Sequence, residues 1–185
     1  MPEVISVSVV IPCFNAAPFL KECLDSVLNQ TRPADEIILV NDGSTDASLE
    51  IAESFGAKIK IISQLNQGVS SARNRGILAA KSEWIAIQDA DDVWHPEKLE
   101  KQVQAIKETQ EPIVCCYTDF YLFGKDLMIP HFKRPEFHAS DNPFPQMLAD
   151  WSVTSNAALF KKEIAQKILF PVGIQDNEDT IFLLF

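Results

Sequence analysis

The 185-residue chain is 46% hydrophobic and 23% charged, enough apolar material for one substantial core, and its formal net charge of -10 excludes the Lys/Arg-striped surface that holds nucleic acid. Cys13, Cys23, Cys115 and Cys116 show no CxxC spacing, and His95, His131 and His138 form no ligand cluster, which argues against a zinc site or a disulfide framework. The start of the chain lacks the pattern of a signal peptide, and no apolar run reaches the roughly 18 residues of a membrane span.

In chain order, the β-branched run Val4 to Ile11 predicts a first, central strand, broken by Pro12-Cys13-Phe14-Asn15. From Pro18 to Leu28, apolar residues at Phe19, Leu20, Cys23, Leu24, Val27 and Leu28 follow the period of a helix with one buried stripe. Glu36 to Val40 predicts a second strand ending at Asn41-Asp42-Gly43-Ser44. Ser44 or Thr45 is placed to cap a helix running to about Phe55. A third strand is expected over Lys58 to Ser63, a turn at Asn66-Gln67-Gly68, and a helix over Val69 to Ala80 that carries Arg73 and Arg75.

Trp84 to Ile87 predicts a short buried strand that runs into Gln88-Asp89-Ala90-Asp91-Asp92. A helix follows from Pro96, with Leu99, Val103 and Ile106 on one face. This alternation of strands and helices predicts an α/β domain with a mostly parallel central sheet covered on both faces. Past Pro112 the pattern changes: a longer strand over Ile113 to Phe123, a Pro-rich loop from Met128 to Pro145, a short helix near Phe144 to Asp150, a strand near Ala157 to Phe160 and a helix over Lys161 to Ile168. The change of pattern divides the chain into residues 1–110 and a second half of the same domain at 111–185, with mixed strands. The final apolar helical pattern has no stop signal, so a longer parent chain is expected.

Three strands end in polar clusters, and parallel sheets gather such ends on one edge, where ligands bind. The carboxylates of Asp89, Asp91 and Asp92 repel one another unless a cation neutralises them, and Mg²⁺ or Mn²⁺ prefers such oxygen ligands; an Asp-rich turn capping the next helix is the alternative. Asp42 either nucleates its turn or accepts an N–H from a nucleotide base. Arg73 is either a solvated helix cation or a partner for phosphate and acidic groups. Neither GxGxxG nor a Walker motif occurs, so phosphates are expected to be held through a metal on the acids.

Val9-Val10-Ile11-Pro12-Cys13-Phe14-Asn15, Val40-Asn41-Asp42-Gly43-Ser44-Thr45-Asp46, Asn66-Gln67-Gly68, Ala72-Arg73-Asn74-Arg75-Gly76 and Asp89-Ala90-Asp91-Asp92, in that order, closely resemble the nucleotide-sugar-binding half of family 2 glycosyltransferases. The resemblance implies an A-type glycosyltransferase fold, a nucleotide-diphosphate sugar donor such as a UDP-sugar, a divalent metal and inversion at the anomeric carbon. By position, Pro12, Phe14, Asn15 and Asp42 resemble nucleoside-binding elements, with Arg73 nearby. Asp89 and Asp91 resemble the DxD pair, with Asp91 the direct metal ligand and Asp89 and Asp92 available to ribose or sugar hydroxyls. Glu178-Asp179 resembles the downstream Glu-Asp motif, whose Asp is the general base. The family further implies a saccharide or glycolipid acceptor, a role in cell-envelope polysaccharide synthesis, and a cytoplasmic location with peripheral association at the membrane face. The competing readings are a nucleotidyltransferase of related fold, which expects a Gly- and Lys/Arg-rich loop after the first strand, and a nucleotide-sugar-binding module without catalysis.

Overall fold

The computed structural model describes residues 5–110, 112–124, 127–130, 154–174 and 182. Six strands form one open sheet in the order β3-β2-β1-β4-β8-β5, and β6 pairs with β7 in a separate hairpin. The strands are β1 (Val7–Cys13), β2 (Glu36–Asp42), β3 (Lys60–Gln64), β4 (Trp84–Ile87), β5 (Cys115–Tyr117), β6 (Tyr121–Gly124), β7 (Leu127–Pro130) and β8 (Ala158–Lys161). The helices are α1 (Ala17–Leu28), α2 (Ser48–Ser54), α3 (Val69–Ala79), α4 (Lys98–Glu108) and α5 (Lys162–Ile168). β1 to β4 pair in parallel, whereas β8 runs antiparallel to both β4 and β5, which agrees with the expected mostly parallel sheet with mixed strands late in the chain.

Successive β1 side chains point to opposite faces, so one fully buried strand feeds two cores. Val7, Val9 and Ile11 join Leu20, Leu24 and Val27 of α1 and Leu99 and Val103 of α4. Val10 faces the other way, with Ala72 and Ile77 of α3 and Ala165 of α5. Gly76 permits the close approach of α3 to β1: a Cβ there would lie 2.2 Å from Val10 Cγ1.

The boundaries differ from expectation where side chains redirect the backbone. Pro12 lies inside β1 rather than ending it. Val10 C=O accepts from Gln88 N on the β4 side, so the edge on which Pro12 lacks an N–H faces the side where β4 has already ended. The cap expected at Ser44 or Thr45 is not formed: the N-cap of α2 is Ala47, Asp46 Oδ1 accepts from Ser48 N at 2.9 Å, and Ser44 and Thr45 bond across to Asn15. Phe19, counted in the buried stripe of α1, is 53% exposed. The single strand expected over Ile113 to Phe123 is divided: Thr118 N donates to Ala157 C=O as the last rung of the β5–β8 ladder, Ala157 N turns away to Thr154 C=O, and Asp119 Oδ1 accepts from Phe120 N. The loop expected from Met128 begins as strand β7. The remainder of that loop, the helix near Phe144 to Asp150 and the terminal helical pattern lie outside the described residues, apart from Phe182, which stacks on Phe170 with ring centroids 4.0 Å apart. No helix among the described residues is long and apolar enough to cross a membrane.

Candidate functional site

The carboxyl ends of β1, β2 and β4 open into one cleft of about 470 Å³, lined by Pro12, Cys13, Phe14, Asn15, Asp42, Arg73, Asp89 and Asp91 among the expected elements. Ala16, Phe19, Asn66, Gly68, Val69, Ala72 and Ala90 complete the wall. Parallel order brings these residues together, since neighbouring strands that run the same way end on the same edge of the sheet.

The two loops at the cleft's floor are locked to each other. Asn15, at a left-handed φ of 49°, accepts from Thr45 N at 2.8 Å through Oδ1 and donates its own N–H to Ser44 Oγ at 3.1 Å. The first amides of α1 are likewise satisfied by the β2–α2 loop: Ala16 N donates to Ser48 Oγ and Ala17 N to Asp46 Oδ2. Consequently that helix N-terminus is not an open phosphate cradle.

Asp42 is only 2% exposed, and its carboxylate takes three hydrogen bonds. Gln64 Nε2 and Gln67 N donate to Oδ1 at 2.7 and 2.9 Å, and Gly68 N donates to Oδ2 at 2.9 Å. Both expectations for this residue meet here: it fixes the turn ahead of α3, and it remains on the cleft wall. Phe14, 50% exposed, and Phe19 present aromatic surface at the mouth.

Arg73 is buried rather than solvated. Its guanidinium donates to Asp89 Oδ1 at 2.9 Å and lies 5.0 Å from the centre of the Phe170 ring. This pair neutralises one acid of the cluster, and both residues line the cleft. Asp91 is exposed and lines the cleft; Asp92 does not. The Asp92 carboxylate accepts from Asn156 Nδ2, and burial, together with Asp89 and Asp91, pushes its pKa up to about 6.

Among the described residues no group of three His, Cys, Asp or Glu side chains is arranged to hold a metal ion. The donor set instead suits Mg²⁺ or Mn²⁺, which are commonly held by one or two carboxylates plus substrate phosphates; Asp91 and Asp89, both on the cleft lining, are the carboxylates that would hold it. Asp179, the expected base, lies outside the described residues. Sequence reading missed Phe19, hidden by a helical pattern that also suited the core, and Asn156, whose partner is 64 residues away.

An open, mostly parallel sheet with an acid-lined cleft at its strand ends is the A-type glycosyltransferase arrangement, and solved structures of that kind superpose on this chain. S. aureus TarS in complex with UDP-GlcNAc matches with a TM-score of 0.72 and 22% identity over 96% of this chain and 52% of that one. The mannosyltransferase PcManGT of Pyrobaculum calidifontis, in complex with GDP-Man and Mn²⁺, matches with a TM-score of 0.65 and 22% identity over 97% and 52%. The sequence profile of glycosyl transferase family 2 matches residues 8–169, and the chain belongs to that family. It is 44% identical to the uncharacterized glycosyltransferase EpsJ of Bacillus subtilis over 96% of its own length and 55% of that protein's. The chain thus spans about half the length of the curated relatives it matches.

Proposed function

We propose that this chain supplies the donor side of an inverting glycosyltransferase that moves a sugar from a nucleoside diphosphate sugar to an acceptor hydroxyl. The observation that carries the reading is the meeting of Phe14, Asp42, Arg73, Asp89 and Asp91 on one cleft. Asp42 presents a carboxylate that accepts an N–H, which uracil and guanine carry on the ring and cytosine and adenine do not. Phe14 offers its face for stacking the base. Arg73 holds Asp89 in place, and Asp91 stands free toward the cleft, so these two acids would hold the divalent ion. Bound there, Mn²⁺ or Mg²⁺ offsets the charge that develops on the departing diphosphate.

The complexes of TarS with UDP-GlcNAc and of PcManGT with GDP-Man and Mn²⁺ support a nucleotide sugar as ligand. Residues 111–185, the acceptor-side half in this reading, carry Asp179, which would take the proton from the attacking hydroxyl. The full chain incubated with UDP- and GDP-sugars and Mn²⁺ tests it. Asp179→Asn is expected to retain donor binding and lose transfer by at least about 100-fold, the usual scale for a general base. Unchanged turnover would overturn the base assignment, and absence of nucleotide binding to the parent protein would overturn the donor cleft.

A further inference from the structure

Asp92 is the acid of the cluster that the cleft does not use, and it is held at three points. Its N–H donates to Asp89 C=O at 3.1 Å, its C=O accepts from the fully buried Gln88 Nε2 at 2.7 Å, and its carboxylate accepts from Asn156 Nδ2. Asn156 lies in a single 3₁₀ turn, Ser155–Ala157, and its Oδ1 accepts the Thr154 hydroxyl. That turn reaches the acid loop because β8 runs antiparallel to β4, so the residues before β8 lie beside those after β4.

The turn is anchored from its far side as well. Ala157 C=O accepts from Gln102 Nε2 at 3.1 Å, Thr118 N at 3.1 Å and Thr118 Oγ1 at 3.3 Å, and Ser155 has no solvent exposure. Helix α4 and strand β5 therefore hold the group that holds Asp92.

We propose that Asn156 is a positioning residue for the acid loop. By tying Asp92 to the turn before β8, its amide keeps the third carboxylate out of the cleft and presents Asp89 and Asp91 in one arrangement. Three acids within four residues would otherwise compete for a cation, and a loop that must be ordered on binding loses affinity. A divalent ion that shares its shell between one or two carboxylates and phosphate oxygens is best served by two acids in the cleft. The inference rests on the donor-cleft reading.

The test is calorimetric titration of UDP and GDP into the full chain, with Mn²⁺ and with EDTA. The parent protein is expected to bind one nucleotide more tightly with Mn²⁺; if neither binds, the donor reading falls and this inference with it. Asn156→Ala is expected to reduce the Mn²⁺-dependent gain about tenfold, while binding in EDTA changes less than about twofold. Asp92→Ala should give a similar loss, and the double variant no more than either, the mark of two residues acting as one. The exchange Asp92→Asn with Asn156→Asp restores an amide–carboxylate pair and should return the gain to within about threefold of the parent. If Asn156→Ala lowers the melting temperature but leaves the Mn²⁺-dependent gain intact, or if the two single losses multiply, Asn156 serves the fold alone and the proposal is overturned.

Discussion

Replacing Asp42 with Asn changes shape least and chemistry most at the floor of the cleft. The carboxylate accepts two donors on Oδ1 and one on Oδ2, two of the three being backbone amides of Gln67 and Gly68. An amide has one acceptor oxygen. The least costly orientation keeps that oxygen toward Gln64 and Gln67 and turns the NH₂ group against Gly68 N–H, so one hydrogen bond to a charged acceptor is lost, about 1.5–3 kcal/mol. The two that remain lose their charge assistance, which places the total toward the upper end. For a domain of this size each kcal/mol lowers the melting temperature by about 2–4 °C, so a fall of roughly 3–12 °C is expected. Urea denaturation followed by circular dichroism measures the free energy directly, and nucleotide titration on the same sample should show affinity reduced by about tenfold. A loss of stability under about 0.5 kcal/mol would refute the argument that this carboxylate holds the turn ahead of α3.

Two further substitutions probe the core. Gly76→Ala places a Cβ 2.2 Å from Val10 Cγ1, so α3 must shift off the sheet, at a cost of about 1–3 kcal/mol; adding Val10→Ala should recover part of that cost, and strict additivity in urea melts would contradict the close approach. Lys98, which donates to Gln102 Oε1 and lies 4.2 Å from the Trp94 ring centre, is pushed by burial down to about 7. Between that value and the ordinary lysine range the unfolded chain binds more protons than the folded one, so stability rises with pH. Cys23 and Cys115, pushed up to about 12 by burial, act in the opposite sense once unfolded thiols ionise above about 9, which confines the clean window to about pH 7–8.5. Lys98→Met is expected to be more stable than the parent at pH 7, with the difference shrinking by up to about 2 kcal/mol across that window; a constant difference in urea midpoints would show that Lys98 does not titrate there.

Much of the donor half was legible without coordinates, for a local reason. Each helix and strand must bury one face or both, and that need writes its period into the chain, as in the four apolar residues of β4 and the i, i+4 spacing of α4. Polar clusters at three strand ends then had to share one edge once the sheet was parallel, which is why Asn15, Asp42, Asp89 and Asp91 were found on one cleft.

What the tertiary structure alone decided concerns contacts between residues far apart in sequence. The division of residues 113–123 depended on Ala157 turning its N–H to Thr154, which ends the β5–β8 ladder at Thr118, and the exposure of Phe19 on where α1 met the cleft. Adjacent acids read alike in sequence, yet Asp89 is paired with Arg73, Asp91 stands open and Asp92 is turned aside by Asn156. Composition and periodicity determined that these carboxylates would gather at the end of β4. That Asp92 stays off the cleft lining followed from the antiparallel entry of β8, which brings Asn156 to it, because hydrogen bonds between distant loops depend on strand order, which no local pattern encodes.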